Sequence, residues 1–362
     1  MQITPEIKAQ LAEQKKQCVY CKLVAREIPP KVVFEDAVTL ALLDIYPAKK
    51  GHTVFTLKEH YPIIPLIPAK EFAHFFSLVP ALSKAIQSAM VVTGINLLIA
   101  NGGVAGQQFP HFLAHFLPRE AGDGLYNFLF KPGRSLAPEN VEPVQRQMLQ
   151  LMQTYFAKDP QSWHTGKGET PSFLVAVQKN ATILYEDEKV LVLLPSKSVI
   201  PGEICVYSKR EERDIAKLSS EDSTHLFFVA SFAASALFDG LAAQGTNLLL
   251  RSGFTDDNPE GRLLVQVLPR KQGDGLQGIF WESKPAGYNL DEIASRIKDR
   301  TWNVKYQELK KESPLPAKPV VVPAPTSPSK MGTSSTMATG SHLKKTAEQE
   351  IREAMMRILG KS

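Results

Sequence analysis

The sequence predicts an α+β protein in which one unit occurs twice, followed by a tail without a core. Three observations predict it. Displaced by 151 residues, the sequence overlays itself without a gap for about ninety residues. Within each copy, short apolar runs separated by turn residues give way to one amphipathic helix and two more strands. After Tyr306 the composition turns to Pro, Ser, Thr, Ala and Val with no apolar period.

The register of the repeat is dense. Phe34-Glu35-Asp36 meets Tyr185-Glu186-Asp187, Gly51 meets Gly202, and His74 and Phe76 meet His225 and Phe227. Gly94, Asn96, Leu97 and Leu98 meet Gly245, Asn247, Leu248 and Leu249, and Pro118-Arg119 meets Pro269-Arg270. The helix is expected at about Ala69 to Met90 in copy one, with Phe72, Phe76 and Leu82 facing inward. In copy two it is expected at Glu221 to Ala242, with Phe228, Phe232 and Leu237 inward and Ser219 ahead of Asp222 as a start signal. Strands follow near Asn96–Ala100 and Phe112–Leu117. Between the copies, Val144, Met148, Leu151, Met152 and Tyr155 form the apolar side of a joining helix. The expected division is a first domain over 1–131, a linker with that helix over 132–171, and a second domain over 172–306. A disordered stretch over 307–341 and a short amphipathic helix over 342–362 complete it.

Composition narrows the class. The chain is 43% hydrophobic and 22% charged, and nothing in it reads as a signal peptide or a membrane span, so a soluble cytoplasmic protein is expected. Three cysteines exclude a disulfide framework. Cys18 and Cys21 have metal or redox spacing, whereas Cys205 reads as a buried small hydrophobe. A net charge of +5 is mild and argues against nucleic acid as a partner.

Copy one carries Gly106-Gln107-Gln108-Phe109-Pro110-His111-Phe112-Leu113-Ala114-His115-Phe116-Leu117-Pro118-Arg119. With Cys18-x-x-Cys21, Glu35-Asp36, Asp44 and Gly51-His52-Thr53, this resembles the histidine-triad (HIT) superfamily, from about Cys18 to Leu125 and, through the repeat, from Ser172 to Leu276. The nearest resemblance is to nucleotide-binding HIT hydrolases with an N-terminal Cys-x-x-Cys. The doubling also resembles hexose-phosphate uridylyltransferases. The resemblance implies two tandem HIT-like domains paired as an intramolecular pseudo-dimer.

It also implies a triad at His111, residue 113 and His115, whose central histidine attacks the α-phosphorus. Here that place is Leu113, and copy two has Arg262, Leu264 and Gln266. An isobutyl group has no lone pair, so the family's covalent route is closed and no catalytic residue is assigned. His115 lies two residues along a strand, roughly 6–7 Å away, too far to stand in for it. The resemblance further implies a zinc ligand set of Cys18, Cys21, His60 and His111, which suits a closed tetrahedral site. The matching places in copy two are Glu169, Ser172, Glu211 and Arg262, so copy two is expected to be metal-free. Asp44 falls at the ribose-binding acid, Asn101, Gly106 and Gln107 fall where phosphate is held, and His115 completes the nucleotide site. His52 and His74 read as structural, and Arg119 and Arg270 as residues solvated at sheet ends.

The main reading is a catalytically degenerate, zinc-stabilised HIT protein binding a purine nucleotide in copy one. The alternatives are an active nucleotide hydrolase or nucleotidyltransferase using a non-standard residue, and an interaction scaffold whose C-terminal helix docks a protein partner.

Overall fold

Ten strands of the described chain form one antiparallel sheet in a computed structural model of the protein. The structure describes residues 5–158, 168–276, 281–282 and 284–306; the expectations for 307–341 and 342–362 lie outside them. In copy one, α1 (Pro5–Gln17) and α2 (Val19–Val24) lead into β1 (Val32–Glu35), β2 (Thr39–Leu43) and β3 (Thr53–Leu57). Two helices follow, α3 (Ala69–Ser77) and α4 (Val79–Met90), then β4 (Gly94–Asn101) and β5 (Leu113–Arg119). After α5 (Val141–Lys158), copy two repeats the series as α6 (Ser172–Gln178), β6 (Ala181–Glu186), β7 (Val190–Pro195) and β8 (Ile204–Ser208). It continues with α7 (Ser220–Leu241), β9 (Gly245–Ser252), β10 (Leu264–Arg270) and α8 (Leu290–Thr301).

The strand order is β1-β2-β3-β5-β4-β9-β10-β8-β7-β6. The copies therefore join edge to edge through β4 and β9, which closes one edge of each five-stranded half. Leu98 pairs with Leu249, its own equivalent at the 151-residue shift, so a pseudo-dyad passes between these two leucines. The tandem HIT-like arrangement is thus a pseudo-dimer within one chain.

The helix expected over Ala69–Met90 is interrupted at Leu78, whereas α7 runs unbroken. Pro80 is the cause: it has no N–H for the carbonyl of Phe76 four residues earlier, and its ring crowds that carbonyl. The vacated Phe76 carbonyl instead accepts from Ser223 Oγ of copy two at 2.8 Å. At the equivalent position α7 has Ser231, which imposes no break. Helix α7 is apolar and long enough to cross a membrane, but Phe227, Ala230, Ala234 and Leu237 are buried within the protein, as befits a core helix.

The helix that follows each copy covers the other. α5 leaves copy one and lies on α7 and β6, with Val144, Met148 and Met152 buried; a Cβ on Gly240 of α7 would fall 3.1 Å from Val144. α8 leaves copy two and lies on α4, β1 and β2, burying Ile293, Ile297 and Thr301. The joining helix is therefore a structural part of copy two's core. Two buried arginines differ from expectation. Arg119 and Arg270 are enclosed because Asp123 and Asp274, each four residues on, take up their guanidinium groups, and the carbonyls of Leu125 and Leu276 accept from their Nη2 groups. Asp36–His74 (2.6 Å) and Asp187–His225 (2.8 Å) are equivalent pairs, consistent with a structural His74.

Candidate functional site

Four residues from three segments meet beneath the outer half of copy one's sheet. Cys18 precedes the first turn of α2 and Cys21 lies within it; a spacing of three along a helix sets both sulfurs on one side. His60 follows β3 by three residues, and His111 precedes β5 by two. Cys18 Sγ and Cys21 Sγ lie 3.3 and 3.7 Å from His111 Nδ1, and Cys21 Sγ lies 3.3 Å from His60 Nδ1. All four candidate ligand atoms are within 4.8 Å of one another. A tetrahedral zinc with ordinary Zn–S and Zn–N bonds separates its ligand atoms by about 3.3–3.8 Å; the three sulfur–nitrogen distances above fall in that range and no pair exceeds 4.8 Å, so the donor set suits that ion. His111 Nε2–H donates to the carbonyl of Leu57 at 3.0 Å, which turns Nδ1 toward the cluster. The Cys21 side chain, as hydrogen-bond donor, holds the Cys18 thiol well below its usual range, so the pair readily offers a thiolate.

Beside the cluster lies a cavity of about 410 Å³. His111, Leu113 and His115 all line it, as do Asp44, Gly106 and Gln107; Asn101 does not. Asn101 is buried, with Oδ1 accepting from Ile64 N (3.3 Å) and Nδ2 donating to Thr246 Oγ1 (3.2 Å). Its equivalent, Ser252, accepts from Ile215 in the same way, so the shared role is structural. Gln107 lines the cavity with its amide committed: Oε1 accepts from Gly102 N, and Nε2 donates to the carbonyls of Pro62 and Phe109. Gly102 and Gly106, at φ 96° and 84°, allow this loop to turn under the cavity wall.

A hydrogen-bonded histidine pair, His52 and His115, adjoins the cavity, and His115 lines it. The Ala48 N–H donates to His52 Nδ1 at 3.2 Å, which leaves the His52 proton on Nε2. His52 Nε2 lies 3.0 Å from His115 Nδ1 and donates to it, so His115 carries its proton on Nε2. Burial pushes both imidazoles down to about 3, His52 adding to the effect at His115. Asp44 Oδ2 stands 3.6 Å from His52 Nδ1, and its Oδ1 accepts from Tyr46 N. His52 thus belongs to the site as well as to the fold. Its role was hidden because the contact to His115 is made across neighbouring strands, β3 and β5.

Above pH 6.5, the ordinary histidine value, both rings are neutral whether the chain is folded or not. Below it the unfolded chain takes up protons that the buried pair refuses until about pH 3, so their contribution to stability falls with pH across that window. In a histidine NMR titration of the folded protein, the His52 and His115 ring signals are expected to stay unshifted from pH 8 to about pH 4. A midpoint near 6.5 for either ring would refute the buried pair.

Copy two contributes the fourth wall. Trp281 sets its indole against both rings, with centroids 4.7 Å from His52 and 5.4 Å from His115, and Nε1 donates to Tyr46 O. Sequence reasoning missed it, although the repeat register places Trp281 opposite Phe130. Phe130 in turn lies on Arg251 in copy two, 5.4 Å from the guanidinium. There the histidine pair is replaced by Glu203 and Gln266, still hydrogen-bonded, and Arg251 Nη2 donates to Gln266 Oε1 at 2.9 Å. Leu264 lies in an apolar cluster with Leu174, Leu191, Leu193, Cys205 and Tyr207. None of the four metal-ligand types recurs at the matching places.

A model of the HIT domain matches residues 25–122, within copy one. The chain is 40% identical over 107 residues to an uncharacterized HIT-like protein of Methanocaldococcus jannaschii, covering 30% of this chain and 82% of that one. It is 32% identical over 130 residues to an adenosine 5'-monophosphoramidase of Schizosaccharomyces pombe, covering 35% and 92%. A crystal structure of a Zn-bound histidine triad family protein from Mycobacterium smegmatis is 30% identical, with a TM-score of 0.29, covering 31% and 81%. The HIT-domain match and the relatives of 40% and 32% identity, covered over most of their length, establish that the chain belongs to the histidine-triad (HIT) family.

Proposed function

We propose that copy one binds an adenine nucleotide without turning it over, and that zinc held by Cys18, Cys21, His60 and His111 fixes the outer part of its fold. The observation that carries this reading is Leu113. It lines the cavity between His111, turned to the metal cluster, and His115, whose cavity-facing nitrogen already bears a proton. Neither flanking imidazole offers a free lone pair to phosphorus. Covalent catalysis needs one.

Binding has better support. The cavity is walled mostly by apolar and aromatic side chains with a few convergent polar groups, as small-ligand sites are. Asp44 can accept from ribose hydroxyls, and the His115 Nε2–H can donate to a phosphate oxygen without charging. Activity on an adenosine 5'-monophosphoramidate in a 32%-identical relative supports adenine as the base. Four protein ligands leave zinc no open position, so the chemistry it supplies is cross-linking α2 to β3 and β5. Copy two acts as a structural partner that supplies Trp281 and α8.

Calorimetric titration of the full chain with AMP, run beside an adenosine 5'-phosphoramidate hydrolysis assay, tests this. Binding without hydrolysis is expected. Hydrolysis at rates typical of enzymes, or no binding of AMP, overturns it.

A further inference from the structure

The loop that walls copy one's cavity rests on copy two. At the join, Ala100 pairs with Asn247 and Asn101 with Thr246, so the start of β9 runs directly beneath the Gly102–Gln107 loop. Asn247 is fully buried. Its Nδ2 donates to the Ala105 carbonyl at 2.9 Å, and its Oδ1 accepts from Arg270 Nη1 at 2.8 Å. Arg270 is itself held by Asp274 at 2.6 Å. Two residues earlier, a Cβ on Gly245 would fall 2.7 Å from Asn101 O and 2.9 Å from Val104 Cγ2, so backbone and loop are in direct contact.

The mirrored support on the other side of the pseudo-dyad differs. Asn96 and Arg119 are the equivalents of Asn247 and Arg270. They hold a side chain, Asp257, with Asn96 Nδ2 at 2.8 Å and Arg119 Nη1 at 3.1 Å. Asp257 stands where copy one has Gly106. The copy-two loop therefore spends a carboxylate on the join, whereas the copy-one loop is held by its backbone and keeps its glycine turn at the cavity.

The geometry points to Asn247, oriented by Arg270, as a positioning residue for copy one's ligand loop, so that the degenerate copy sets the phosphate-side wall of its neighbour's cavity. This rests on the nucleotide reading above. Asn247 touches no ligand; it fixes the Ala105–Gly106 peptide and through it the wall formed by Gly106 and Gln107. On that reading the effect is expected to be confined to the phosphate side, because the lining residues of α2, β2 and the segments after them, Asp44 among them, come from copy one and do not touch Asn247.

The test compares Asn247→Ala with Asn96→Ala in the full chain. Both remove one buried amide at the same join. AMP and adenosine are the probes, with amide hydrogen exchange over Gly103–Gln107 as a ligand-free readout. Asn247→Ala is expected to weaken AMP about tenfold, the size of one lost buried hydrogen bond. Adenosine affinity is expected to stay within about twofold. Exchange in the loop should accelerate. Asn96→Ala should change none of the three. Asn247→Asp, isosteric but without the donor, should repeat the Asn247→Ala pattern and replaces it if that chain does not fold. Equal losses for AMP and adenosine, equal effects of the two alanine variants, or unchanged exchange with Asn247→Ala would overturn the proposal. If the wild-type chain binds neither probe, the nucleotide reading fails alone, and the exchange rates still decide whether Asn247 positions the loop.

Discussion

Replacing Cys21 by Ser abolishes metal binding and lowers the melting temperature by about 10 °C or more, corresponding to a loss of at least about 4 kcal/mol. The expectation rests on four ligand atoms within 4.8 Å of one another, drawn from α2, the end of β3 and the start of β5. Binding free energy at a closed site of this kind is folding free energy, since the unfolded chain has no preformed site. A sequence of two repeats suggests that copy two would survive such a loss. The structure argues otherwise. The sheet is continuous through β4 and β9, and α8 of copy two covers β1 and β2 of copy one. Opening copy one strips copy two of its neighbouring strand and leaves α8 without a surface, so a single cooperative transition is expected. Metal analysis should return one zinc per wild-type chain and none for the variant. Wild-type protein without zinc, with Cys18 and Cys21 reacting freely with thiol reagents, would refute the assignment.

Leu113→His is expected to raise phosphoramidate turnover above that of the wild type. Leu113 opens β5, pairs with Thr56 and lines the cavity next to His115, so an imidazole there enters an existing space. The introduced nitrogen attacks the α-phosphorus and the P–N bond breaks, the leaving amine taking a proton from solvent; water then attacks the phosphorus, the P–imidazole bond breaks, and AMP and the imidazole are released with the water's proton returned to solvent. His115, a neutral N–H donor, is placed to steady the phosphoryl oxygen. Phosphoramidate hydrolysis is expected to rise by about 10²-fold or more over the wild-type background, the lower range of what one positioned catalytic group contributes. The gain should vanish in the double variant with His115→Ala. AMP binding retained with no gain in hydrolysis would show that the cavity lacks more than its nucleophile.

The features legible in the sequence are those with a local or periodic signature. The repeat exposed the duplication, and the joining of two HIT-like sheets followed from it. Leu113 and the clustering of Cys18, Cys21, His60 and His111 were legible because family register fixes those places residue by residue. Relations across the join were harder to see. The helix break at Leu78 turns on Pro80, visible in the sequence, but its compensation by Ser223 comes from the other copy. Asn101 and Gln107 carry the right residue types at the right places, yet their amides are consumed in holding the loop. Arg119 and Arg270 read as solvated because charge predicts exposure; aspartates four residues later make their burial affordable. Trp281 lies far from the triad in sequence, and only the crossing of copy two's C-terminal segment brings it to His52.

The most direct test of the central claim is ³¹P NMR of the full chain mixed with an equal concentration of adenosine 5'-phosphoramidate. Equimolar protein makes even one turnover visible. A phosphorus signal shifted or broadened by binding is expected, with no AMP appearing over hours beyond a protein-free control. Conversion of a full equivalent to AMP by the wild-type chain would contradict it, and would mean that a residue other than Leu113 carries the chemistry.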